Sequence, residues 1–129
     1  MLNKSDFDCL MVDNFSFLVK NEGLDESPGL YLTKDYCGRN FLLRFGLDLV
    51  QMNFEIRIGK LVNGELCVNR NKGGYWANLM QFLKDSGYSY PPFKNDVNYL
   101  VDVSRYSYLF NVIGIETFSK EPNFFDHLK

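Results

Sequence analysis

Residues 40–69 read NFLLRFGLDLVQMNFEIRIGKLVNGELCVN, and the way this stretch folds arranges the rest of the chain. Phe41, Leu43, Phe45, Leu47 and Leu49 alternate with Leu42, Arg44, Gly46, Asp48 and Val50. A period of two with one strongly apolar face predicts a half-buried strand. Phe54, Ile56 and Ile58 alternate with Glu55 and Arg57 and predict a second strand. The apolar residues are odd-numbered in the first strand and even-numbered in the second. Directly opposite residues of an antiparallel pair share a face, so paired numbers must sum to an odd value. A sum of 103 satisfies this, with Val50 opposite Asn53 and a loop at Gln51 and Met52. A sum of 101 satisfies it equally, with a longer connection.

Asn63-Gly64 then predicts a hairpin into a third strand, because a type I′ turn needs φ > 0 at both central residues. Leu66 faces Leu61 across it. Leu61 is odd-numbered, whereas the preceding apolar residues up to Ile58 are even-numbered, so the parity breaks at Gly59-Lys60. A glycine at such a break points to a β-bulge; the alternative leaves Leu61 on the solvent side. One face of the meander is apolar, and the other carries Arg44, Asp48, Glu55 and Arg57. The apolar face of such a sheet needs a cover.

Helices flank the meander. Ser5 can cap a first helix running to about Glu22, with Phe7, Leu10, Met11, Phe15 and Leu18 in its stripe and Gly23 closing it. Residues 24–28 read as a loop, and Gly29 to Tyr36 as a strand leading into Asn40 through Cys37-Gly38-Arg39. Trp76, Leu79, Met80 and Leu83 have helical spacing, and Gly87 stops that helix. Tyr88 to Phe93 contains Pro91 and Pro92 and reads as an extended connector. Asn95 or Asp96 can cap a third helix. Its stripe of Leu100, Val103, Tyr106, Phe110 and Ile113 is widened by Val97, Val101, Tyr108 and Val112, which predicts burial on more than one side. Phe118 to Lys129 reads as a terminal segment docking back through Phe124, Phe125 and Leu128. The expected fold is a single α+β domain over 1–129. A four-stranded antiparallel meander, about 29–69, is covered on one face by the N-terminal helix and two C-terminal helices.

Composition bounds the function. The 129 residues are 46% hydrophobic and 16% aromatic, with 12 Phe and 8 Tyr, enough for a core without disulfides or metals. A formal charge of −2 argues against nucleic acid as a partner, which calls for a basic patch. Cys9, Cys37 and Cys67 are isolated, with no C-x-x-C spacing, and predict three reduced thiols in a cytoplasmic protein. Asp6, Asp8 and Asp13 interrupt any signal-peptide pattern, and no stretch reads as a membrane span.

Catalytic constellations are not visible. The one histidine, His127, lies at the C-terminal end, and no thiol is placed by sequence to pair with it. No zinc-ligand spacing occurs, and no cofactor is implied. The loop 69–74, Asn-Arg-Asn-Lys-Gly-Gly, matches neither G-x-x-x-x-G-K-[ST] nor G-x-G-x-x-G and reads as a connector. Asp48 and Glu55 could form a carboxylate pair on the polar face; a solvated face of mixed charge is the simpler reading. What remains is recognition of another protein. Arg44, Asp48, Glu55 and Arg57 on the sheet, with Arg70, Lys72, Tyr75 and Trp76 around the loop, are the candidate contacts, because Trp, Tyr and Arg dominate binding hot spots. Core packing is the competing role for Trp76.

Residues 14–61 also resemble small bacterial immunity proteins of polymorphic toxin systems. The resemblance is carried by Phe15-Ser16-Phe17-Leu18 followed by glycine, a tyrosine-containing strand, an Arg/Leu strand, and Ile58-Gly59-Lys60-Leu61. It implies an inhibitor that binds a cognate toxin and has no active site of its own. The alternatives are an enzyme or ligand-binding domain with a pocket between sheet and helices, or a regulatory subunit of a larger complex.

Overall fold

The computed structural model describes residues 2–51, 53–86 and 98–113. The connector at 88–93, the cap at Asn95 or Asp96, the helix ends at Gly87 and Gly114, and the terminal segment with His127 lie outside the described residues. The elements run α1 (Lys4–Phe15), α2 (Phe17–Lys20), β1 (Asp25–Pro28), β2 (Thr33–Cys37), β3 (Phe41–Asp48), β4 (Asn53–Val62) and β5 (Glu65–Cys67). A short 3-10 turn (Arg70–Lys72), β6 (Trp76–Asn78), α3 (Leu79–Asp85) and α4 (Tyr99–Ile113) complete them. The architecture is α+β: an antiparallel sheet in the order β1-β2-β3-β4-β5, with β6 also on β4, and helices on its apolar face. Among the described residues six strands form where four were expected.

The β3–β4 register sums to 101, from Phe41 opposite Lys60 to Asp48 opposite Asn53. The longer connection wins because the Asp48 carboxylate accepts the N–H groups of Val50 (2.9 Å) and Gln51 (3.2 Å), a side-chain turn that ends the strand there. The Asn63-Gly64 hairpin forms as expected, with φ of 52° and 80° and Leu61 opposite Leu66. The expected bulge does not form. The β3–β4 ladder runs unbroken through Gly59 and Lys60, which puts Leu61 on the same face as Glu55 and Arg57.

Two further strands correct the sequence reading. Asp25–Pro28, expected as a loop, is an exposed edge strand paired with β2. It has no apolar face to announce it, and its charges and proline suit an edge. The expected strand from Gly29 begins only at Thr33. Gly29 to Leu32 is the hairpin turn, closed by the Thr33 N–H on Leu30 O (2.9 Å). Leu32 adopts φ 56° there, a strained state for leucine, and its side chain is buried. Trp76, expected in a helix, is the first residue of β6.

The core lies between the sheet and the helices. The N-terminal helix is capped by Asn3 rather than Ser5 and is interrupted at Ser16. Phe7, Met11, Phe15 and Leu18 face inward from it. Gly23 at φ 72° reverses the chain after it. Phe15 meets Phe45 edge-on at 4.6 Å, and Phe45 stacks with Phe110 of α4 at 6.0 Å. Ser107 of α4 donates to Asn14 O (2.9 Å), tying the two helices together. Contrary to expectation, among the described residues α4 buries one side, through Val103, Tyr106, Leu109 and Phe110; Leu100, Tyr108 and Val112 are exposed.

Candidate functional site

Every described helix packs on the inner face, so among the described residues no helix covers the other face of the sheet. Strand register assigns its residues. Ser27, Asp35, Arg44, Arg57 and Asn78 form one row across β1, β2, β3, β4 and β6. On one side of that row lie Asp25, Cys37, Leu42, Gly59 and Trp76. On the other side come Thr33, Gly46 and Glu55, and then Asp48 with Asn53.

The Gly59 end is filled by the chain itself. A Cβ on Gly59 would lie 2.7 Å from the Trp76 ring and 2.3 Å from Leu66 Cδ1. The indole therefore rests on bare backbone, and Leu42 beneath this end is only 8% exposed. The Arg44 guanidinium stands 5.5 Å from the Trp76 ring centroid, within cation–π range. Asp35 grips the same guanidinium with both oxygens, to Nε at 2.9 Å and Nη2 at 3.0 Å. That hydrogen bonding to Asp35 raises the Arg44 pKa further above its ordinary value, against a smaller opposing effect of burial. Burial, followed by the negative field of Asp35 and Asp25, pushes the neighbouring Cys37 thiol up.

The central row places Arg44 directly opposite Arg57. Two like charges in that position repel. Each has its own carboxylate, Asp35 for Arg44 and Glu55 for Arg57 at 2.9 Å.

The described residues leave the Gly46 end empty. A surface slot of about 290 Å³ opens there between Thr33, Arg44, Asp48, Glu55 and Arg57, with Gly46 as its floor. A second depression, of about 360 Å³, adjoins it along Pro28, Gly29 and Leu30 and shares Thr33 and Arg44 with it. Two exposed apolar side chains stand at the neighbouring hairpin tips: Leu30 at 85% exposure and Val50 at 94%. No family model, curated protein or solved structure matches the chain.

The eight candidate contacts thus separate. Arg44, Asp48, Glu55, Arg57 and Trp76 share the open face. Tyr75 does not join them. It is 3% exposed, packs edge-on against Phe82 at 5.9 Å, and donates its hydroxyl to Asp85 Oδ2 at 2.8 Å. Burial first, and the Asp85 bond second, raise its phenol pKa. Arg70 lies over the Tyr75 ring at 4.7 Å and reaches Asp85 at 3.6 Å. These contacts pin the 69–75 loop to α3, a structural role. Lys72 is exposed in the 3-10 turn beside them. The loop itself is a built turn: Asn69 Oδ1 accepts the Asn71 N–H at 2.9 Å, and the Tyr75 N–H reaches Cys67 O at 2.8 Å.

Sequence reasoning missed Asp35, Thr33 and Gly46. Asp35 and Thr33 lie on a strand whose start was misplaced. Gly46 was visible as a glycine inside an apolar alternation, which is itself a signal of close approach by something. Asp48 and Glu55 do fall on one face, but the first is occupied by turn N–H groups and the second by Arg57. Among the described residues no group of three His, Cys, Asp or Glu side chains could hold a metal ion, and no helix is long and apolar enough to cross a membrane.

Proposed function

We propose that the protein is a protein-binding module that acts through the open face of its sheet, most concretely an immunity-type inhibitor that neutralises a cognate toxin by covering it. One observation carries this reading. The face that the described helices leave bare presents a preorganised Arg–Trp pair, Arg44 clamped by Asp35 and laid over Trp76. Arg and Trp are the residues that most often dominate binding energy, and a side chain held in place beforehand loses less entropy on docking. The exposed Leu30 and Val50 add apolar contacts at the hairpin tips.

The test is a charge swap. Glu55→Arg with Arg57→Glu keeps an ion pair within the chain while reversing what a partner meets. The pair is half-exposed, so folding stability should hold within about 1 kcal/mol. Affinity for a partner retrieved from the native host should fall by roughly tenfold or more, mainly through faster dissociation. Equal affinities for wild type and swap would end the sheet-face reading. Rescue of host-cell growth from the retrieved toxin would separate an inhibitor from a neutral subunit.

A further inference from the structure

Gly46 lacks a side chain for no reason within the described chain. Its φ lies outside the left-handed region. A Cβ built on it would stand 3.5 Å from Thr33 Cγ2 and 4.0 Å from Leu32 O, ordinary van der Waals distances. Glycine in a strand interior loses more backbone entropy than alanine and packs nothing, so it weakens the strand. The described residues therefore leave the space above Gly46 open. The slot, about 290 Å³, is at the small end of small-molecule sites, which run from roughly 300 to 1,000 Å³. Its size suits one long side chain.

Charge selects the kind of side chain. The strand residues of this face carry Asp25, Asp35, Asp48 and Glu55 against Arg44 and Arg57, an excess of two negative charges. Both guanidiniums are already engaged by Asp35 and Glu55. An entering anion would have to draw one of them from its carboxylate. An entering cation meets Asp48 at the slot wall, whose carboxylate takes two turn N–H groups but faces no cation among the described residues, and so disturbs neither pair. Resting on the reading that this face binds a protein, we infer that the slot over Gly46 receives an arginine or lysine side chain from a basic segment of that partner.

The full chain, labelled with nitrogen-15, is titrated at low ionic strength with hexa-arginine and with hexaglutamate peptides while backbone amides are followed by NMR. Hexa-arginine should shift the amides of Gly46, Asp48 and Glu55, and hexaglutamate should leave them in place. Gly46→Leu fills the slot without altering any charge and should raise the hexa-arginine Kd about tenfold or more, which separates the slot from diffuse attraction to an acidic surface. Gly46→Ala, whose added atom meets only ordinary contacts, gives the same direction with a smaller change and serves if the leucine variant melts early. Undiminished binding by both variants, a response to hexaglutamate at these amides, or silence toward hexa-arginine would each overturn the inference. A natural partner that loses affinity on the Glu55/Arg57 swap but not on Gly46→Leu would leave the binding face standing and remove the slot.

Discussion

Gly59 and Gly46 lie on the same face of one sheet, either side of the opposed Arg44 and Arg57, and the described residues cover only one of them. Over Gly59 the fold lays its single tryptophan and Leu66. Over Gly46 the described residues lay nothing, and a slot results. A glycine's space can thus serve the fold or be left to the surroundings, and the neighbouring atoms tell which. At Gly59 a β-carbon meets a rigid ring whose strand is hydrogen-bonded in place. At Gly46 it meets only ordinary van der Waals contacts.

The largest effect should come from closing the covered end. Gly59→Val drives two methyl groups toward the indole. The Leu66 tip can swing aside, but the ring on β6 cannot without loosening its strand. A loss of roughly 3 kcal/mol is expected from such overpacking, read as a fall in thermal melting temperature. A melt within error of wild type would mean the indole is not seated on Gly59.

Gly64 is a third kind of glycine, needed for its backbone angle alone. No atom lies within 4 Å of its built Cβ, yet φ is 80°. Gly64→Val should cost on the order of 1–3 kcal/mol through strain at the turn, and chemical denaturation would measure it. An unchanged midpoint would show that the Asn63-Gly64 turn tolerates another geometry.

A double-mutant cycle sharpens the contrast. Gly59→Ala and Trp76→Ala should each destabilise. Together they should cost less than the sum, by about 1 kcal/mol, because removing the indole makes room for the new methyl. Strict additivity would place the Trp76 ring elsewhere. At the open end the smallest effect, of opposite sign, is expected. Gly46→Ala should stabilise by about 0.5–1 kcal/mol, the usual gain from removing a strand-interior glycine. A clear destabilisation would mean that the fold does need that space.

How far these features were legible follows from the range of the interactions behind them. Asn63-Gly64 was readable because a two-residue turn depends on its own backbone angles. The apolar faces of β3 and β4 were readable because strand period is a local property. Whether Asp48 or Val50 ended the strand was not, since both registers obey the parity rule and the choice rests on which N–H groups one carboxylate takes. Asp25–Pro28 was opaque because an edge strand buries nothing. Of the candidate contacts, Arg44, Asp48, Glu55 and Arg57 were readable on the open face because strand parity alone sorts a sheet's two sides, whereas Trp76 joined them only through the pairing of β6 with β4. Tyr75 left the group because its hydroxyl finds Asp85, ten residues along on another element.

By itself, the sequence determined the α+β class, the central meander with its alternating faces, and the helices that cover one of them. These follow from periodicity, which each segment carries alone. Tertiary structure decided that Trp76 is a strand residue, that Gly59 is its seat, that Arg44 stands between Asp35 and that ring, and that the described residues leave Gly46 uncovered. Helical spacing at Trp76, Leu79, Met80 and Leu83 was real, but a strand slot beside β4 with a glycine opposite outweighed it. Such outcomes depend on which distant surfaces meet, and the free energy of that meeting belongs to the pair.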